Sequence, residues 1–213
     1  CAEDVTVKYL DIAEYVRTEA HGAPDFLIER AIRESAIDFC IKTDAYRLEP
    51  ENVQIIAGID EYDLTIPTGT ELNHIIDIFR GRETLSPVSY TRMLEVQGDG
   101  KQRGKPKYYA QRDNTVFYVA PIPNDKETIK VLYSVKPTST SSSIPDTIGK
   151  EYRETLVHGA VYRLQMMSSQ PWSNMGAAQS NKLLFDQSSA QIMRQVRYGY
   201  GGGALTVKSR AFI

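Results

Sequence analysis

The chain changes its hydrophobic period twice, and that change limits the folds open to it. After Pro24, the residues Ile28, Ile32, Ala36, Phe39 and Cys40 recur at helical steps, which is the stripe of an amphipathic helix. Ile37 and Ile41 widen the stripe, so this helix is expected to be covered on more than one side. Pro24 suits a first helical turn, and Asp25 and Glu29 suit its positive dipole end. A shorter helix over Lys8 to Ala20, with Leu10, Ile12, Ala13 and Val16 inward, precedes it and stops at His21-Gly22-Ala23.

From Val53 the pattern is that of strands. Val53–Ile56 and Tyr62–Pro67 flank the turn Gly58-Ile59-Asp60, and Ile75–Arg80 continues as a strand toward Leu85. Ser89–Val96 reads as a short helix, and Gly98–Pro106 as a loop of glycine and charge. Lys107–Gln111, Thr115–Ala120 and Thr128–Val135 are three more strands, rich in Tyr and Val. The first two meet at a tight hairpin around Asp113-Asn114.

After the polar linker Ser139–Ser143 the helical period returns. Pro145-Asp146-Thr147 opens a helix to Met167, with Tyr152, Leu156, Ala160 and Leu164 at four-residue steps. Pro171-Trp172-Ser173-Asn174 is a turn that supplies an N-cap. A final helix to about Val196 carries Ala178, Phe185, Ile192 and Val196 inward. The expected class is therefore α+β. Helices from residues 1–44 and 139–198 form one bundle, and residues 45–138 are an inserted, small antiparallel β-domain.

Residues 199–213 form a glycine hinge and an extended tail. Gly199 and Gly201–Gly203 resist ordering. Beyond them Leu205, Val207, Ala211 and Ile213 alternate with Lys208 and Arg210, a period of two that gives strand character. A lone strand is unstable in water. These six residues are the candidate contacts to a partner, with the segment adding to a sheet or groove of a neighbour.

Charge and cysteine usage remove several function classes. The formal net charge of −2 offers no basic surplus for nucleic acid. Two cysteines, Cys1 and Cys40, far apart in sequence, permit neither a disulfide framework nor zinc spacing. With no long apolar run and no signal-peptide pattern, a protein made and used in a reducing cytoplasm, or in a particle assembled there, is expected, with no membrane contact.

Enzymatic motifs fail in detail. Gly98 to Gly104 is one residue too long for a phosphate loop, and Pro106 stands where a Ser or Thr should hold magnesium. His21, His74 and His158 are scattered and lack metal-ligand spacing. No G-x-S-x-G elbow occurs. No catalytic residue, cofactor or metal is expected. Two alternatives remain open: a nucleic-acid-binding module using the basic and aromatic run Lys105–Arg112, and a small hydrolase of another type. Strand alternation explains the same run. Thirteen Tyr against six Phe favour a surface that meets protein partners.

The last third carries a resemblance. Tyr152-Arg153-Glu154-Thr155-Leu156-Val157-His158-Gly159-Ala160, the turn Gln170-Pro171-Trp172-Ser173-Asn174 and Phe185 resemble the C-terminal half of tailed-bacteriophage head–tail adaptor proteins. The helix Ile28–Cys40 is similar too, and the resemblance covers most of residues 24–197. It implies packing roles: Gly159-Ala160 for close helix approach beside Leu156, Trp172 filling the bend, and Phe185 on the following helix. It also implies a virion protein that forms a ring with copies of itself, usually twelvefold, under the portal protein. Such a ring prolongs the channel for passing genomic DNA, without gripping it tightly, and presents a lower surface to tail or nozzle proteins.

Overall fold

The computed structural model describes residues 6–98, 102–113 and 115–199. The chain begins with β1 (Thr6–Lys8), α1 (Tyr9–Arg17) and α2 (Asp25–Thr43). There follow β2 (Glu51–Ile55), β3 (Glu61–Asp63), β4 (Thr70–Arg80), β5 (Glu83–Thr84), β6 (Ser86–Pro87) and α3 (Tyr90–Gln97). Next come β7 (Arg103–Gly104), β8 (Tyr108–Gln111), β9 (Val116–Ala120), β10 (Ile122–Pro123) and β11 (Glu127–Pro137). The chain returns to helices through β12 (Ser143–Pro145), α4 (Asp146–Glu151), α5 (Arg153–Gln165) and α6 (Met175–Tyr198). The fold is α+β.

α1, α2, α5 and α6 share one apolar core. Tyr9, Ile12, Val16, Ile28, Ile32, Ala36, Phe39, Leu156, Ala160, Leu164, Phe185 and Ile192 belong to it. The helices contribute residues three, four or seven apart, one face of each, so burying the stripes against one another removes them all from water. The ends are capped locally: Asn174 Oδ1 accepts the Ala177 N–H at 3.1 Å and closes the start of α6.

The strands build two four-stranded sheets, ordered β2-β11-β4-β5 and β3-β9-β8-β6. Ile55, Ile75, Ile78, Ile129 and Val131 of the first pack with Tyr62, Tyr109, Phe117 and Val119 of the second. β9 is covered on both faces. Phe117 and Val119 face the first sheet, while Tyr118 and Ala120 meet Met93 of α3. Alternation along β11 buries Ile129, Val131, Tyr133 and Val135 on one side. The hairpin between β8 and β9 pairs Gln111 with Phe117 and Tyr108 with Ala120. Asp113 Oδ1 accepts the N–H groups of Thr115 and Val116 at the turn.

Several expectations are corrected. Leu10 does not face inward but is 50% exposed, and Tyr9 takes the buried position. Ile41 is exposed, so α2 is covered less broadly than its apolar width implied. β4 does not run on toward Leu85. It turns at Gly81, whose φ of +60° suits a residue without Cβ, and β5 pairs back on it. The two strands around Gly58 lie in different sheets, β2 beside β11 and β3 beside β9. The helix after Pro145 is two helices, broken at Tyr152 with φ −109° and ψ 20°. That break seats the Tyr152 ring 5.3 Å from Phe39. The linker before it also holds a strand, because β12 pairs with β1 through Val7 and Ile144.

Candidate assembly surfaces

The tightest point of the bundle is Gly159. A Cβ built there would lie 2.0 Å from Ser35 Oγ and 2.8 Å from the Phe185 ring. No side chain fits, so the absence of one lets α2, α5 and α6 converge at one level. Ser35 Oγ donates to the Leu156 carbonyl at 2.8 Å, which ties α2 to α5 within that apolar contact. Leu156, Ala160 and Phe185 surround the glycine and are fully buried. Trp172, in the bend between α5 and α6, is half-buried against the same core. The structure thus brings Leu156, Gly159, Ala160, Trp172 and Phe185 together around one core. Leu205, Val207, Lys208, Arg210, Ala211 and Ile213 lie outside the described residues.

A polar junction joins the bundle to the first sheet. α2 ends at Asp44, which adopts the left-handed conformation at φ 55° and ψ 27°, a state that Asp tolerates better than most residues. Its carboxylate is 4% exposed. Asn73 Nδ2 donates to it at 2.9 Å and Ser134 Oγ at 3.0 Å. His74 Nδ1 lies 3.0 Å away, and Arg197 of α6 lies 3.9 Å away. Burial pushes the Asp44 carboxyl up, but the bonds from His74 and Ser134 and the charges of His74 and Arg197 outweigh it. The net result is a pKa below the usual carboxylate range. Sequence reading missed this junction. Its signal was Ser134, a polar residue inside the apolar run Val131–Val135.

The run Lys105–Arg112 obeys its strand. Tyr109 is buried, and its hydroxyl faces the carbonyls of Ile75 and Ile76 at 3.5 Å. Burial pushes that hydroxyl up to about 12. The ring cannot stack on a base. Arg112 lies 5.3 Å over Tyr90 and donates to the Tyr118 hydroxyl at 3.3 Å. Lys105 and Lys107 are exposed.

The titratable groups that attract attention in the sequence are spread out. His158 Nδ1 lies 2.7 Å from Asn181 Oδ1, and His74 belongs to the Asp44 junction. Cys40 is buried, and burial pushes its thiol well above the ordinary range. Among the described residues no three His, Cys, Asp or Glu side chains are grouped to hold a metal ion. Among them, too, no helix is long and apolar enough to cross a membrane.

What the surface does offer is apolar area on helices. On α6, Leu183 is 57% exposed, with Leu184 beside it. Ser180, Gln187, Ala190 and Gln191 are exposed on the same outer side. On α1, Leu10 and Tyr15 are exposed. Such faces suit protein contact better than chemistry.

Among curated proteins nothing matches the chain. Against protein-family models, residues 7–207 match the family described as SU10 adaptor protein. The match runs from the first strand through the bundle and both sheets, and reaches Leu205 and Val207 of the tail. The chain belongs to the SU10 adaptor protein family, whose members are phage structural adaptor proteins.

Proposed function

We propose that this chain is a head–tail connector adaptor of a virion. Copies of it form a ring, twelvefold, beneath the portal protein. The ring extends the DNA channel and gives tail or nozzle proteins a surface to attach to. The observation that carries this reading is the family match over residues 7–207. A formal net charge of −2 supports it, since a channel that gripped phosphates would slow the passing DNA. The exposed apolar side chains on α1 and α6 supply contact area for protein neighbours. Assembly takes place in the host cytoplasm, before the tail joins.

The tail makes the outward attachment. Leu205, Val207, Ala211 and Ile213 supply apolar contacts, and Lys208 and Arg210 meet acidic residues on a neighbouring subunit or the portal. Backbone bonds to a partner's sheet edge add to these contacts on docking. The nucleic-acid reading through Lys105–Arg112 is weaker, because Tyr109 is committed to the core.

The test is electron microscopy of portal-bearing heads mixed with the full chain or with a chain lacking residues 204–213. The full chain should add a ring below the portal. The truncated chain should keep its helical circular dichroism and fail to attach. No added density with the full chain would overturn the connector reading. Normal attachment of the truncated chain would overturn the role of the tail alone.

A further inference from the structure

We infer that, in the proposed ring, the outer face of α6 in one copy packs against the outer face of α1 in the next. This rests on the ring reading and names the surfaces that close it.

The first observation is placement. On α5, Tyr162 faces α6, with its ring 6.1 Å from that of Phe185. Arg153 faces α1, with its guanidinium 4.3 Å over the Tyr15 ring and bonded to its hydroxyl at 2.9 Å. Arg153 and Tyr162 are about two and a half turns apart on a helix of roughly 3.6 residues per turn, so they point in opposite directions. Where Arg153 and Tyr162 sit, α1 and α6 therefore lie on opposite sides of α5, and past the end of α1 Asn181 of α6 reaches the Glu19 carboxylate at 3.4 Å. A head-to-tail contact that repeats around a ring needs two different surfaces on opposite sides of the subunit.

The second observation is what those faces carry. Ser180, Leu183, Gln187, Ala190 and Arg194 are all exposed on α6 and fall at steps of three and four. A helix face meant for water is usually charged and laced with ion pairs. This one is uncharged from Ser180 to Ala190. Arg194 follows it, and Lys182 stands at its flank. Neither cation has a carboxylate partner among the described residues. On α1 the exposed face carries Asp11, Glu14, Tyr15 and Thr18, with Leu10 at its edge. Neither Asp11 nor Glu14 has a cationic side-chain partner among the described residues. Each face thus joins exposed apolar area to unpaired charge, and the charges are opposite in sign. From Leu183 to Arg194 is about 17 Å of helix, and from Leu10 to Thr18 about 12 Å, so one can lie along the other.

The test exchanges the charges. One variant carries Leu183→Glu with Arg194→Glu, which makes α6 acidic. A second carries Asp11→Lys with Glu14→Lys, which makes α1 basic. All four positions are exposed, and circular dichroism checks that both variants fold. Rings are counted on portal-bearing heads in micrographs. Each variant alone places like charges across every contact and should lower ring occupancy at least about tenfold. An equimolar mixture of the two restores opposite charges at every contact of an alternating ring, and occupancy should recover. Rings from either variant alone at the wild-type level would overturn the pairing. So would a mixture that stays empty, and so would loss with the α6 variant but not the α1 variant, which would assign the α6 face to the portal. Absence of rings with the unaltered chain is a different result, and it would remove the connector reading itself.

Discussion

α2 and α6 each bury one face against α5, yet they treat their other faces differently. α2 turns Arg30 and Glu34 outward as an ion pair at 2.8 Å over its middle, with Glu29 and Arg33 half-buried beside them at 3.0 Å and Phe26 and Ile41 exposed only toward its two ends. α6 turns Ser180, Leu183, Gln187, Ala190 and Gln191 outward instead. On the inside both helices close on Gly159, where Ser35 Oγ and the Phe185 ring occupy the space a side chain would take. The inner faces record the fold, and the outer faces record what lies beyond it. A helix facing water gains little from apolar area, so an outer face of leucine, alanine and amides marks a place where water is displaced.

The largest effects should come from the shared inner seam. Phe185→Ala should cost about 3–5 kcal/mol, because a fully buried ring leaves a cavity that the helices cannot close. Gly159→Ala should cost about 1–3 kcal/mol through overpacking. Adding Ser35→Ala to it should recover part of that loss, since Ser35 Oγ is the atom the new methyl meets first. Urea unfolding followed by circular dichroism reads all three. An unchanged midpoint for Phe185→Ala would mean that α6 is not part of the core, and the comparison of its two faces would collapse.

A smaller effect should come from Asp44, which touches both halves of the molecule. Asp44→Asn keeps a residue that tolerates the left-handed conformation and removes the charge facing His74 and Arg197. At neutral pH it should cost about 1.5–3 kcal/mol, the range for hydrogen bonds to a charged group. The folded-state pKa of Asp44 is lowered, so the contribution is present above the unfolded value of about 3.9 and is lost as pH falls through the folded value. Acid titration of stability should therefore be steeper below about pH 4 in the wild type than in Asp44→Asn. Identical acid limbs would show that the carboxylate is not held in its charged form by the junction.

These residues also mark what could be read without coordinates. The stripes of α2 and α5, the Asn174 cap and the hairpin at Asp113 are local patterns, each set within a few residues, and sequence periodicity carries them. The break at Tyr152 is different. Its stripe continues unbroken through Leu156, and the Phe39 ring that packs against Tyr152 lies more than a hundred positions earlier. The pairing of β1 with β12 joins Val7 to Ile144 and leaves no local sign. Asp44 is likewise met by Asn73, Ser134 and Arg197 from three distant segments. The close approach at Gly159 entered only through the family resemblance, since a lone Gly in a helical stripe does not by itself say what packs on it. The exposure of Leu183 was not legible, because a leucine outside the stripe looks like one more core candidate until the direction of the helix is known.

The smallest effect sharpens the comparison most. Arg30→Ala removes the exposed pair with Glu34 on α2, where both side chains stand largely in water. Such a pair contributes roughly 0.3–0.5 kcal/mol, because screening and side-chain entropy consume most of the attraction. Leu183→Gln on α6 should change stability even less, since the side chain is already 57% exposed in the isolated subunit. The two substitutions are thus nearly silent in urea unfolding. They should part company in assembly. Arg30→Ala should leave ring occupancy on portal-bearing heads unchanged, as expected of a face that stays in water. Leu183→Gln should lower it several-fold, because removing an apolar side chain from the buried centre of a contact typically costs about 1 kcal/mol or more. Equal occupancy for the two variants would mean that the leucine face of α6 is as wet as the charged face of α2, and that the difference between them carries no message about partners.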